Sequence, residues 1–477
     1  MELSLIIAAT TDGIIGTETN QCLYSNKDKE HFKMITQFTP SHTSNLLIVG
    51  RKTWETLPES ICNCKYRKYI VLTKQRDYNC SAPIAHTFDD VLKYCMANKE
   101  LYYKFFVIGG AEVYKLAMDS GFVTEIYLSE FCANLVEELT DQCGLVKCTI
   151  DINKFKIKNR TTITDNMKLV YGELETCSRD VQINLYHYKI VHKPFELQYI
   201  SLLSDIVNTG VKKQTRNGTT LSITDRQIKI NLTDGFPIIT VRKSFWRGIK
   251  EELLWMMTGS TSAKILQLKN IHIWDGNTTR EFLDKVGLYH LSEGDIGAGY
   301  GFQMRYTGAN YVNCDTDYKG QGIDQLVKCV DQIKNDPNNR RIIINLWNVA
   351  DLDKMTLSPC HYNYQFTITN GKLSCHLYQR SWDTMLGWNT STAALLTHIL
   401  AHYCDLDVGT LTHTICDAHI YECHLDTFNI IKNRIPYKLP KLVITGSKPT
   451  NIDGYTCDQF TLVDYLSHDP VKMDMVA

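Results

Sequence analysis

Five apolar runs within the first 130 residues constrain this chain more than any other feature: LSLIIAA (3–9), LLIVG (46–50), KYIVLT (68–73), FFVIGG (105–110) and EIYLSE (125–130). Each is bounded by a turn or by a stretch of helical character. Short β-type runs alternating with helices are the rhythm of an α/β domain with a largely parallel sheet. Such sheets bind ligands at the carboxyl ends of their strands, so those ends are where chemistry is sought.

LLIVG runs directly into Arg51, Lys52 and Thr53. Cations and a hydroxyl at a helix start suit a phosphate. KYIVLT ends at Thr73 and Lys74, a second hydroxyl and cation pair. FFVIGG ends in Gly109-Gly110, then AEVYKLAM reads as a helix. Glycines there let the backbone approach a pyrophosphate. A lone Gly-Gly is more often only a tight turn. Three strand ends of one character point to a dinucleotide, and the two cationic ones favour NADP over NAD. In SNKDKEHFKMI, Asp28 and Phe32 share one helical face. A carboxyl beside an aromatic ring can pair with a protonated heterocycle. An ordinary solvated charge run reads the same way.

With 477 residues the chain exceeds one ordinary core, and two or three domains are expected. The net charge of -1 argues against a large nucleic-acid or membrane footprint. The 17 cysteines are scattered without metal-ligand spacing, which reads as reduced thiols in the cytoplasm or nucleus and no metal site. The first apolar run is too short for a membrane span and has no basic start. From HKPFELQYISLLSDIVNTG a second domain opens, with Leu197, Ile200, Leu203 and Ile206 at helical spacing. We place the boundary between residues 191 and 192.

In that second part, LSPCHYNYQF holds Cys360 and His361, YQRSWD holds Arg380, Ser381 and Asp383, and NNRRIIINLWN holds Arg340 and Arg341. A thiol among guanidinium groups is expected to have a lowered pKa, and the thiolate is the nucleophile. The same arginines suit a phosphate. The reading is a cysteine that attacks a phosphorylated small molecule. A free cysteine is more often a small buried hydrophobe.

Residues 1–191 resemble dihydrofolate reductase through IIAATTDGIIG, the Asp28–Phe32 pair, VGRKTWETLP, RKYIVLT and VIGGAEVY. The resemblance implies that Asp28 binds the pteridine and assists protonation, with Glu30 less favoured by its spacing to Phe32. It further implies that Phe32 packs on the folate, Arg67 pairs with its glutamate carboxylate and Ser129 stands for a bridging hydroxyl. NADPH would be lined by Ala8, Ile15, Gly16, Arg51, Lys52, Thr53, Thr73, Lys74, Gly109, Gly110, Ala111, Glu112, Val113 and Tyr114. Where that family has Leu-Pro-Trp before the acid, this chain has Leu23-Tyr24-Ser25 and a shorter connection.

Residues 192–477 resemble thymidylate synthase, an α+β fold, through TRNGTTLS, KEELLWMM, IWDGN, EGDIGAGYGFQMR, NRRIIINLWN, SPCH, LYQRSWD, DAHIY and the terminal KMDMVA. The resemblance implies that Cys360 adds to dUMP, with Glu252 as proton shuttle and Tyr300 helping to remove the C5 proton. Arg216 and Arg380 would hold the phosphate from one subunit, and Arg340 and Arg341 from the other, in a homodimer. His361, Ser381, Asp383, His419 and Tyr421 match further nucleotide contacts. Trp274, Asn277, Asp383 and the terminal Ala477 match the site of 5,10-methylenetetrahydrofolate.

Asn389 in LGWNTSTAALL stands where an asparagine reads uracil; an aspartate there would favour cytosine. The segment lacks the family's Pro-Phe, and Trp382 replaces a small residue. Both are expected to affect folate packing, and Trp388 is a candidate to fill the lost phenylalanine's space. The order of the two parts resembles the bifunctional dihydrofolate reductase–thymidylate synthase of protists and plants. Two rivals stay open: a hydroxymethylating relative of the synthase, and a folate- or RNA-binding relic without activity.

Overall fold

The computed structural model describes residues 1–18, 22–40, 42–135, 144–171, 174–473 and 476. The chain forms two compact units, Met1–Pro194 and Phe195–Ala477.

The strands of the first unit are β1 (Leu3–Thr10), β2 (Ile14–Thr17), β3 (Cys22–Tyr24), β4 (Ser44–Gly50), β5 (Arg67–Leu72), β6 (Ile84–Ala85), β7 (Tyr102–Val107), β8 (Val123–Phe131), β9 (Leu145–Lys147), β10 (Phe155–Tyr171) and β11 (Leu174–Ile190). They form one sheet in the order β6-β5-β4-β7-β1-β8-β11-β10-β3-β2-β9. From β6 to β8 all neighbours run parallel. The remaining pairings are antiparallel. Leu46, Leu47, Ile48 and Val49 on β4 are all fully buried, as a strand covered on both faces requires. All five apolar runs are strands, with ends shifted by a few residues. The long β10–β11 hairpin is absent from the sequence reading. Its first strand, FKIKNRTTITD, is largely exposed and has no continuous apolar run.

The second unit has strands β12 (Val211–Thr215), β13 (Gly218–Asn231), β14 (Ile343–Asn345), β15 (His361–Thr369), β16 (Lys372–Asp383) and β17 (Asp407–Tyr421). They form a sheet in the order β12-β13-β17-β16-β15-β14. Only β16 and β17 pair in parallel. A short ribbon of β18 (Lys441–Ile444) and β19 (Phe460–Val463) stands apart. Helices Phe195–Thr209, Trp246–Met257 and Asn389–Tyr403 contribute to the large core behind this sheet. The first of them buries Phe195, Tyr199, Leu202, Leu203 and Ile206. Leu197 and Ile200 of the expected face are only half-buried, so the helix is turned from that expectation.

Trp382 is the largest fully buried side chain. It lies 6.3 Å from the Tyr199 ring and 4.9 Å from His413. It fills the core behind the sheet, where a small residue would leave a void. No described helix is long and apolar enough to cross a membrane.

Candidate active sites

In the first unit the site is built at the start of helix Asn26–Gln37. Ser25 caps it, its Oγ accepting the Asp28 N–H at 3.2 Å. The same Oγ donates to Asp165 on β10 at 2.6 Å, and Asp165 also accepts the Lys27 N–H at 2.9 Å. This anchor occupies the shortened connection. Asp28 is half-buried and hydrogen-bonded to Ser129 on β8, whereas Glu30 is exposed. Burial pushes the Asp28 carboxyl up to about 6, with the Ser129 bond pulling the other way.

One helical turn on, the Phe32 ring centre is 5.3 Å from the Arg67 guanidinium. Arg67 is 1% exposed and donates from Nη1 to the Ile61 carbonyl at 3.3 Å. Its Nε and Nη2 are buried without a hydrogen-bond partner among the described residues. A buried guanidinium with two unmet donors is the half of a fork that a carboxylate completes.

The expected dinucleotide residues lie along neighbouring strand ends and helix starts. Ala8 is on β1, and Ile15 and Gly16 are on β2. Arg51, Lys52 and Thr53 open helix Arg51–Trp54. Thr73 follows β5 and is buried, its Oγ1 accepting the Gln75 N–H at 3.2 Å. Gly110 caps helix Ala111–Ser120, whose first residues are Ala111, Glu112, Val113 and Tyr114. Gly109 has φ +120° and accepts the Gly50 N–H at 2.7 Å. A Cβ on Gly109 would lie 3.2 Å from the Tyr114 hydroxyl, which itself donates to the Ile6 carbonyl at 2.6 Å. The backbone there stays bare because a side chain would be strained and would crowd the approach. That bare cradle beside a helix start fits a pyrophosphate.

Two expected phosphate cations already hold carboxylates: Arg51 pairs with Glu55 at 3.1 Å and Lys74 with Glu112 at 2.6 Å. The Lys74 pair is exposed and the Arg51 pair partly so, and pairs of that kind are worth little and exchange readily.

In the second unit, β15 and β16 present the thiol site. Cys360 immediately precedes β15. Arg380 on β16 wraps its loop, donating from Nε to the Pro359 carbonyl at 3.0 Å and from Nη2 to Ser358 at 2.7 Å. Its Nη2 is 3.7 Å from the Cys360 Sγ. The Tyr300 hydroxyl accepts the Cys360 N–H at 3.1 Å. Tyr300 holds φ +40°, a conformation that costs a non-glycine residue energy and marks a constrained position.

The thiol is pushed up, not down as expected from its cations. Burial is the largest cause, and Arg380, the Tyr300 contact and Arg216 pull against it without winning. Arg340 and Arg341 are exposed, and neither is bonded to this cluster among the described residues.

Glu252 on helix Trp246–Met257 accepts the Trp274 indole N–H at 3.0 Å. Burial pushes its carboxyl up to about 7, with the indole bond pulling it down. The Trp274 ring is 5.3 Å from Tyr300, and Tyr300 is 5.2 Å from His361. Glu252, Trp274, Tyr300, His361, Cys360 and Arg380 are therefore one connected group. Asn277 is buried in the turn after Trp274.

Arg216 sits in the turn between β12 and β13, its Nε donating to Asn217 at 3.0 Å. Asn217 also bonds the Tyr421 hydroxyl. His419 shares a hydrogen bond of 3.0 Å with Asp417, which also accepts from Lys213 and Ser222 at 2.8 Å each. Asp383 ends β16 level with His419, and burial raises its carboxyl. Ser381 is half-buried on the same strand, and Asn389 is half-buried as the first residue of its helix. Ala477 lies outside the described residues.

Several participants escape sequence reasoning: Asp165, Asn217, Asp417 and Tyr364. Tyr364 meets the His361 Nδ1 at 2.5 Å. A strict strand places residues three apart on opposite faces. The register shift between His361 and Asn363 brings this pair together.

A carboxyl bonded to Ser129 one helical turn from a ring packed on a buried arginine in one unit, and a thiol beside a guanidinium in the other, mark two candidate sites. A thymidylate synthase family model matches residues 197–477, and a dihydrofolate reductase model matches residues 2–171. A bifunctional dihydrofolate reductase-thymidylate synthase of Acanthamoeba polyphaga mimivirus is 36% identical, over 100% of both chains. That of Zea mays is 35% identical over 99% of this chain and 96% of its own length. That of Paramecium tetraurelia is 34% identical over 99% and 98%. The chain belongs to the bifunctional dihydrofolate reductase–thymidylate synthase family. The family's two activities are NADPH-dependent reduction of dihydrofolate and reductive methylation of dUMP by 5,10-methylenetetrahydrofolate.

Proposed function

We propose that Cys360 is the nucleophile of dTMP formation and Asp28 the acid of dihydrofolate reduction. The observation that carries the first part is Arg380 at 3.7 Å from the Cys360 Sγ, with Tyr300 holding the Cys360 N–H. The thiolate adds to C6 of dUMP, and the resulting enolate makes C5 nucleophilic. C5 then bonds the folate's methylene carbon. Arg380 offsets the cost of forming the thiolate in a buried place. Glu252, raised to about 7, can both take and give a proton near neutral pH. Tyr300 assists removal of the C5 proton. As C5 bonds the methylene carbon, one of that carbon's two bonds to folate nitrogen breaks. Loss of the C5 proton breaks the other, the folate's own hydride then completes the methyl group, and the Cys360 thiolate leaves C6, giving dTMP and dihydrofolate.

The phosphate is held by Arg216 and Arg380; Ser381, His419 and Tyr421 add phosphate and sugar contacts, and Asn389 reads the uracil edge. Trp274, Asn277 and Asp383 border the folate. Asp28 stays protonated up to about pH 6 and is the donor that dihydrofolate needs for reduction. Arg67 takes the folate's glutamate carboxylate through its two unmet donors. The bare Gly109–Gly110 backbone would hold the pyrophosphate of NADPH, which would supply the hydride.

The active form is a homodimer through the second unit. Exposed Arg340 and Arg341, together with half-exposed His376, Tyr378, Thr412 and Thr414 along the sheet, support a covered face and a shared phosphate site. The free cysteines among the described residues suit the reducing cytoplasm.

Cys360→Ser is expected to abolish dTMP formation and leave dihydrofolate reduction intact. Mixed with Arg341→Ala subunits, it is expected to regain one synthase site per heterodimer. Loss of both activities in a folded Cys360→Ser dimer contradicts separate sites. Failure of complementation with heterodimers present contradicts the shared one.

A further inference from the structure

The His361–Tyr364 contact is the shortest hydrogen bond near the thiol, and it has a direction. His361 is 7% exposed and Tyr364 1%. Their Nδ1 and hydroxyl oxygen are 2.5 Å apart. Either the phenol donates to the Nδ1 lone pair, or Nδ1–H donates to the phenol. In the second case the phenol proton needs another acceptor. Among the described residues the Tyr364 hydroxyl has no other hydrogen-bond partner. A buried O–H left unmet is costly, so the phenol donates.

Burial pushes the His361 imidazole down to about 4, which leaves it neutral at working pH. A neutral ring whose Nδ1 accepts must carry its proton on Nε2. The ring lies 5.2 Å from Tyr300, the residue that holds the Cys360 N–H.

We infer that Tyr364 is a positioning residue of the synthase reaction, holding His361 as the Nε2–H tautomer so that it offers a donor at the thiol site. This rests on the reading of Cys360 as nucleophile. When the thiolate adds, the pyrimidine carbonyl conjugated to C5 gains negative charge. A donor fixed in advance stabilises that charge without reorganising. The other tautomer would present a lone pair there. The register shift after His361 is the backbone device that brings the two side chains to one side.

Tyr364→Phe keeps the ring and removes only the hydroxyl. Its kcat for dTMP is expected to fall about ten-fold or more, with KM for dUMP changed about two-fold or less, and reduction of dihydrofolate unchanged. In the 15N-histidine protein, with His361 assigned through His361→Gln, long-range 15N–1H spectra should show one Nε2–H tautomer. In Tyr364→Phe they should show a mixture. In the His361→Gln background, Tyr364→Phe should add no further loss.

A wild-type His361 protonated on Nδ1 overturns the inference without any variant. So does a Tyr364→Phe enzyme with wild-type kcat, or losses that multiply in the double variant. A wild-type protein that makes no dTMP refutes the nucleophile reading instead, and the tautomer spectrum still reports on the hydrogen bond.

Discussion

Asp28 and Glu252 are both half-buried, and burial pushes their carboxyls to about 6 and about 7. A carboxylic acid raised in the folded state binds more protons there than in the unfolded chain. Its contribution to stability is therefore present below the unfolded pKa and lost as pH rises through the folded one. Asp28→Asn removes that loss. The variant is expected to be more stable than wild type by ~2–3 kcal/mol at pH 8, and equal to it below about pH 4. Denaturant unfolding across that range checks the sign. The same variant should lose dihydrofolate reduction, and the wild-type rate should fall above about pH 6. A variant no more stable at pH 8 would contradict a buried ionised Asp28. At Cys360 the sequence suggests a lowered pKa, because adjacent arginines are visible there and burial is not.

At the scale of elements, continuous apolar runs made β1, β4, β5, β7 and β8 legible, along with the glycines and cations at their ends. The β10–β11 hairpin was not, because its exposed, polar first strand carries no burial signal. It nevertheless supplies Asp165, which holds the start of the Asp28 helix through Ser25. Trp382 teaches the same lesson in reverse. Matched by position it looks like a change beside the folate, yet it lies in the core against Tyr199 and His413. The Tyr364 contact depends on a register shift that spacing alone cannot reveal. Ser25→Ala removes a helix cap and a part-buried bond to Asp165. It should destabilise the first unit by about 1–2 kcal/mol and slow dihydrofolate reduction, leaving dTMP formation unchanged. Thermal unfolding with both assays measures this; an unchanged melting point and rate would show that the cap does not hold Asp28.

At the scale of the whole molecule, both site groupings were legible because motifs at spaced positions converge on them. Their linking partners were not: Asn217 in TRNGTTLS and Asp417 in DAHIY carry no chemistry of their own in those motifs, and Asp165 lies outside every motif. The two reactions are consecutive: dihydrofolate leaves the synthase site and is the substrate of the reductase site. The most direct test supplies purified protein with dUMP, 5,10-methylenetetrahydrofolate and NADPH and identifies the products by mass spectrometry. The account predicts dTMP together with tetrahydrofolate. A hydroxymethylated nucleotide, accumulation of dihydrofolate, or no nucleotide product from folded, dimeric protein would contradict it.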